Sequence, residues 1–207
     1  MPLPERNHLR QFLLFVFVLL IPCFAVWTVL SARLATPVIG LCNIILSHWF
    51  PDIVNVVYQQ GADALLMTHF DQVDGLLVPA AEGDAGLGFR LNTRILSYSI
   101  PFYAALHFAT EKEDYLASFC WGLLWLYTGF LMGLLCLSLK ELMVTLGNVF
   151  LDQPGVLVPG ADAIGIAYQL NILIVPTLGP ALIWAWQSRD TPLLRGFIPA
   201  QTGSVDA

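Results

Sequence analysis

The chain has 207 residues, of which 57% are hydrophobic and 12% are charged, and its formal net charge is −6 at pH 7. Soluble domains are roughly one quarter charged, so this composition predicts an integral membrane protein with room for about four spans of roughly 20 residues. The negative charge argues against a nucleic-acid partner, because no basic stripe is available to neutralise phosphates. No glycine-rich phosphate loop is present, so the sequence gives no support for nucleotide binding.

The first predicted span is residues 12–30, a run without a formal charge that follows a short basic head at residues 1–11. At about 1.5 Å per helical residue the run is long enough to cross a bilayer core. It is longer than the apolar region of a signal peptide, and no small-x-small cleavage site follows it. We therefore expect an uncleaved anchor with a cytoplasmic head, kinked at Pro22.

Residues 31–90 are predicted to form a small periplasmic α+β insertion. Residues 37–50 place apolar side chains along one helical stripe, and Pro37 suits a first-turn position, so we expect an amphipathic helix on the membrane surface. From residue 53 to residue 79 the pattern changes to short β-rich runs separated by polar turns, which predicts two or three antiparallel strands.

Three later runs are apolar enough to span a membrane as well: residues 91–109, 115–139 and 163–186. The segments between and after them are polar or turn-rich: a cytoplasmic loop at 110–114, a periplasmic loop at 140–162 and a cytoplasmic tail at 187–207. Lys and Arg are slightly more frequent on the side of the membrane that holds the N-terminus, and the long loop on the other side is acidic. Both observations favour a topology with both termini in the cytoplasm. The predicted fold is an all-α membrane bundle of four transmembrane helices with the α+β insertion between helices 1 and 2.

In this topology a set of ionisable and amide side chains from two spans falls at the same level, near the outer face of the membrane. Polar groups at membrane depth are costly and are therefore candidates for function. Such a cluster could bind a peptide or a lipid head group. The alternative is interhelical hydrogen bonding together with arginine side chains that reach the interface. The candidate binding residues are Arg90, Asn92, Arg94, Tyr168, Gln169 and Asn171.

The chain contains the residue types of a membrane cysteine peptidase, but their spacing argues against catalysis. His107 follows Arg94 at a separation of about 20 Å along a helix, which places it near the opposite membrane face. Cys120 lacks polar neighbours that would activate its thiol, and Cys136 alone falls near the outer level, beside Lys140. A divergent cysteine peptidase or transpeptidase using Cys136 or Cys120 is the main alternative to a non-enzymatic role. A small transporter subunit, suggested by prolines in three spans, is another.

The histidines and cysteines show no metal-ligand spacing, so we expect neither a metal nor a cofactor. Gly129 and Gly133 have the spacing that lets two transmembrane backbones approach closely. Because such matches are frequent in apolar helices, packing within the chain is favoured over a dimer interface.

Four groups of short motifs, taken in chain order, carry a family resemblance: Pro22-Cys23-Phe24-Ala25-Val26-Trp27; Asn92-Thr93-Arg94-Ile95-Leu96-Ser97-Tyr98; Pro101-Phe102-Tyr103-Ala104-Ala105-Leu106; and Tyr168-Gln169 with Pro176 and Pro180-Ala181-Leu182-Ile183-Trp184. They resemble the bacterial exosortase H-associated membrane protein family. The resemblance covers most of the chain.

That resemblance implies an inner-membrane accessory of a sorting transpeptidase, an enzyme class that processes proteins bearing a C-terminal sorting signal. Exosortases carry a Cys-Arg-His triad, but this chain lacks the cysteine motif, so no catalytic residue is carried over. We expect a non-enzymatic accessory or assembly factor whose partners are the lipid bilayer and an exosortase-type transpeptidase.

Overall fold

The computed structural model describes residues 5–191, apart from 74–75, 81–85 and 113, together with residue 194. Its helices are α1 (Glu5–Trp49), α2 (Arg94–Ser97), α3 (Ser99–Phe108), α4 (Tyr115–Leu146), α5 (Asn148–Leu151), α6 (Ala161–Gln169) and α7 (Val175–Ser188). A π-helical turn, Leu170–Ile174, joins the last two. The strands are β1 (Val54–Gln60), β2 (Asp63–Thr68), β3 (Phe70–Val73), β4 (Leu76–Pro79) and β5 (Gly88–Leu91).

The first helix is longer than the sequence predicted. We expected separate helices at 12–30 and 37–50, whereas α1 is one helix of 45 residues with Pro37 inside it. A proline in a helix interior removes one backbone hydrogen bond. Strand β1 forms hydrogen bonds with the helix on both sides of Pro37. Gln59 donates to the Ala32 carbonyl at 2.6 Å and accepts from Thr36 Oγ1 at 2.8 Å, while Asn43 Oδ1 accepts from the backbone of the same strand at 2.7 Å.

Three helical segments of the described residues are long and apolar enough to cross a membrane: Leu9–Trp49, Tyr115–Leu146 and Ala161–Ser188. The four-span prediction is not confirmed, because residues 91–109 do not form one long helix. They end β5 and then form α2 and α3, and residues 94–108 extend roughly 22 Å as helix, against a bilayer core of about 30 Å.

The insertion forms two small sheets. Strands β1, β2 and β5 make a three-stranded antiparallel sheet in that order, and β3 pairs with β4 as a separate antiparallel ribbon. The sequence predicted two or three strands in this region, and the structure has four between residues 53 and 79 with β5 as a fifth. Gly61, at φ 66°, makes the turn between β1 and β2. Leu66 of β2 is fully buried, so the three-stranded sheet packs one face into the core.

Helix α4 is the centre of the molecule, and its glycines receive side chains from other elements. A Cβ placed on Gly122 would meet the Tyr103 ring, one on Gly129 would meet Val175, and one on Gly133 would meet Leu96. The Gly129–Gly133 spacing is therefore used for packing within the chain, as the sequence favoured.

One large apolar core joins the second half of α1, the three-stranded sheet and the second half of α4. Its fully buried members include Cys42, Leu46, Leu66, Leu134 and Leu142. We call this region, with the loop at 147–160, the sheet end of the molecule. The opposite region, where α3, the start of α4 and the end of α7 meet, is the network end.

Candidate functional site

The six residues predicted to form one outer cluster occur in two separate settings. The first is an ion pair at the edge of the three-stranded sheet. Arg90 lies on β5, and its Nη2 and Nε atoms are 2.7 Å and 2.9 Å from Asp63 Oδ2. The Asp63 side chain is 12% exposed and that of Arg90 is 70% exposed, so the arginine covers a mostly buried carboxylate. The pair joins the ends of β2 and β5.

Asn92 and Arg94 lie just beyond this ion pair, where the sheet leads into α2. Asn92 Oδ1 accepts a hydrogen bond of 3.0 Å from the Arg94 backbone, a local turn of the kind that asparagine favours. Between them, the Thr93 hydroxyl donates to the Ala62 carbonyl and ties the turn to β2. The Arg94 side chain is exposed and available to solvent or to a partner.

The second setting is the contact between α4 and the end of α6. Lys140 Nζ lies 5.5 Å from the centre of the Tyr168 ring and 2.9 Å from Glu141 Oε1. The side chains of Lys140 and Glu141 are 29% and 28% exposed, and a cation over an aromatic face is favourable in such partly buried positions. Gln169, the next residue, is exposed.

Asn171 is held by the π-helical turn. Its Nδ2 donates to the Ala167 carbonyl at 2.9 Å and lies 3.5 Å from Cys136 Sγ on α4. Single π-helical turns are frequent at functional sites. Here the turn brings an amide to the sulfur of the neighbouring helix, at the level of the Lys140–Tyr168 contact.

The two settings are neighbours, because Leu96 of α2 packs on Gly133 of α4 between them. Their polar groups bond locally, however: Arg90 with Asp63, and Asn171 with α4 and its own helix. The binding role of the six residues stays a prediction.

Sequence reasoning missed a second polar network, at the network end. Tyr103 Oη donates to Gln187 Oε1 at 2.7 Å and lies 3.1 Å from the Ser118 carbonyl and 3.3 Å from His107 Nδ1. His107 Nε2 is 3.0 Å from the Tyr115 carbonyl. Both Tyr103 and His107 are fully buried. The signal was their four-residue spacing, which puts a phenol and an imidazole on one face of an otherwise apolar helix.

The same end of the molecule ties α1 to the other helices. Phe12 stacks on Trp184 with ring centres 5.1 Å apart, and Trp184 Nε1 donates to Thr110 Oγ1 at 2.7 Å. Lys112, in the loop that follows α3, has a buried Nζ with no hydrogen-bond partner in the described part of the chain. Burial lowers the pKa of Lys112 to about 8 from its ordinary value of 10.5.

In the described part of the chain, no hydrogen bond joins a cysteine thiol to His107. His107 Nε2 bonds to the Tyr115 carbonyl, and Nδ1 lies 3.3 Å from Tyr103 Oη. Cys136 lies roughly 30 Å further along α4 than Tyr115, and its sulfur faces Asn171. Cys120, the other thiol considered for catalysis, is exposed on the first half of α4. Among the described residues, no group of three His, Cys, Asp or Glu side chains could hold a metal ion.

The family model described as exosortase H-associated membrane protein matches residues 6–191 of the chain, so the match includes both polar settings and all three membrane-length helices. No curated protein and no solved structure matches the chain.

Proposed function

Because the chain belongs to the exosortase H-associated membrane protein family, we propose that it is a non-enzymatic accessory or assembly factor of an exosortase-type protein-sorting system. The observation that carries this proposal is the family match, which covers nearly the whole described chain. The proposed site of action is the bacterial inner membrane, with an exosortase as the protein partner.

The architecture supports a role in presenting a surface. One continuous core holds the sheet against α1 and α4, so the extramembrane unit is fixed to the spans and does not hang from a linker. A unit held in this way keeps its exposed residues, Arg94 among them, at a defined height and orientation above the bilayer. Such preorganisation lowers the entropic cost of docking a partner.

Charge supports an orientation with both termini in the cytoplasm. The stacking of Phe12 on Trp184 puts the start of α1 and the end of α7 at the same end of the molecule, next to Arg10 and Arg189. Lys and Arg residues near span ends favour the cytoplasmic side. The sheet end then lies in the periplasm.

The arrangement of the thiols also supports a non-enzymatic role. A cysteine nucleophile needs a base within hydrogen-bond reach. Here His107 Nε2 bonds to the Tyr115 carbonyl, and Cys136 lies in a separate network with Asn171.

The test is a cysteine-free variant expressed in a strain that lacks the native gene but retains the exosortase. All four cysteines are replaced by alanine at Cys23, Cys42, Cys120 and Cys136. We expect the variant to restore processing of a protein with a C-terminal sorting signal, measured by immunoblot of the precursor and the mature form. An accessory factor needs no thiolate, whereas the peptidase alternative does.

The control is the amount of protein in the membrane fraction, because Cys42 is fully buried beside Ser138 and its truncation costs packing. Loss of processing at an unchanged membrane level would overturn the non-enzymatic proposal. Normal processing in the strain without the gene would instead show that the sorting system does not need this protein.

A further inference from the structure

The sheet end carries an open groove that none of the six predicted residues lines. The groove has a volume of about 610 Å³ and lies between the end of α1 and the loop that precedes α6. Its walls are mainly apolar, with Ile44, Trp49 and Pro51 on the α1 side and Val156 and Leu157 on the loop side. His48 also lines the groove, on the α1 side. The volume is within the range of about 300–1,000 Å³ seen for sites that bind small ligands or side chains.

The groove is built on a rigid base. Trp49 Nε1 donates to the Leu157 carbonyl at 3.2 Å and so connects the two walls. The Trp49 ring stacks on Phe50 at 5.0 Å, and Phe50 contacts Phe150 at 5.1 Å, with both phenylalanines fully buried. The loop thus keeps its position relative to α1.

Two large apolar side chains of the groove are exposed to solvent. Leu157 is 85% exposed and Ile44 is 65% exposed. Exposed apolar surface beside a concave site marks a place where another molecule docks. Either the membrane surface or a protein segment could cover these side chains, and charge distinguishes the two.

Two exposed carboxylates flank the groove, and its lining includes one basic side chain, His48. No Lys or Arg occurs between Arg33 and Arg90 or between Lys140 and Arg189. Asp52 directly follows Pro51 of the groove, and Asp152 lies in the loop just before it; both carboxylates are exposed. Anionic head groups are repelled by such a surface, whereas lysine and arginine side chains are attracted to it.

We propose that this groove docks an apolar segment of the sorting enzyme that is flanked by basic residues. The identity of the partner rests on the proposed function; the chemistry of the segment rests on the groove. Apolar side chains of the partner fill the space beside Trp49 and cover Leu157, and its basic residues lie against Asp52 and Asp152.

The experiment places a photo-crosslinking amino acid at Leu157 in the full-length protein, co-expressed with the exosortase. The matched control carries it at Leu76, which is 70% exposed on β4, at the same end of the molecule but outside the groove. We expect a covalent adduct with the exosortase from position 157 and little or none from position 76, with mass spectrometry identifying the crosslinked segment.

The charge requirement is tested in the Leu157 crosslinker background by neutralising the two carboxylates, as Asp52→Asn with Asp152→Asn. We expect the yield of adduct to fall about fivefold, since each exposed charge contributes modestly to docking. The matched control neutralises two exposed carboxylates beside the network end, Asp114→Asn with Asp190→Asn, and keeps the yield.

The possible results separate this inference from the proposed function. If the exosortase does not co-purify with the wild-type chain, the proposed function fails and the partner named here fails with it. If it co-purifies but position 76 gives as much adduct as position 157, or the Asp52 and Asp152 changes have no effect, the groove is not the docking site. Lipid adducts at position 157 in place of protein adducts would show that the membrane covers the groove.

Discussion

The two ends of the molecule are stabilised in different ways. The sheet end is held by an apolar core, and most of its charged groups face outwards, as Arg90 and Arg94 do. The network end buries a phenol and an imidazole and satisfies them through Gln187 and backbone carbonyls. A core of the first kind tolerates changes of surface charge, so the surface of the sheet end can form a partner contact without loss of stability. A network of the second kind is sensitive to the loss of any one member.

The largest expected effect is at the sheet end, where Phe150→Ala removes a fully buried ring that contacts Phe50. Truncation of a buried phenylalanine costs about 3–5 kcal/mol, because the transfer free energy of the ring is lost and a cavity is left in its place. Thermal unfolding of the purified wild type and variant in detergent measures this loss of stability. A change near zero would mean that the aromatic base of the groove does not support the sheet end.

A smaller loss is expected at the network end from Gly122→Ala. The new Cβ would clash with Tyr103 Oη, so the ring must move and its hydrogen bond to Gln187 must lengthen or break. Overpacking of this kind costs about 1–3 kcal/mol. The matched control is Gly165→Ala in α6, where a Cβ meets no atom within 4 Å. Equal stability of the two variants, measured in the same thermal assay, would contradict the close contact.

The smallest effect concerns Lys112 and depends on pH. Its pKa is about 8 in the folded protein and 10.5 ordinarily, so the unfolded chain binds more protons between these values, and folding stability rises with pH through that window. Lys112→Met removes this dependence. We therefore expect the stability difference between the variant and the wild type to shrink from pH 8 to pH 10, by at most about 1 kcal/mol because the residue is partly solvated. Melting curves of both proteins at both pH values measure this difference. A difference of the same size at pH 8 and pH 10 would contradict the burial of Nζ.

The apolar runs of the sequence correspond closely to α4 and to the helix formed by α6, the π-helical turn and α7, because hydropathy depends on local composition. The run at 91–109 could not be separated from a membrane span on this basis. Its polar residue Tyr103 finds its partner Gln187 on α7, 84 residues later, and His107 bonds to the first residue of α4.

The same limit applies to the candidate site. Local pattern placed Arg90 and Asn171 near the outer level, but the partner of Arg90 is Asp63, 27 residues earlier, and the partner of Asn171 is a sulfur on another helix. Long-range pairing of this kind leaves no trace in composition or periodicity. The groove was missed for a related reason, since Trp49 and Leu157 meet only in the folded chain.

The continuity of α1 has a mechanical consequence. Strand β1 bonds to α1 on both sides of Pro37: Gln59 donates to the helix before the proline, and Asn43 accepts from the strand after it. We therefore expect the helix to move as one rigid body and not as two segments joined by a hinge. Residues 31–49 extend roughly 28 Å. At that length a tilt of about 10° in the bilayer moves Trp49 sideways by about 5 Å. Because Trp49 forms part of one wall of the groove, a tilt of α1 as a rigid body would move that wall by a distance comparable to the width of a side chain.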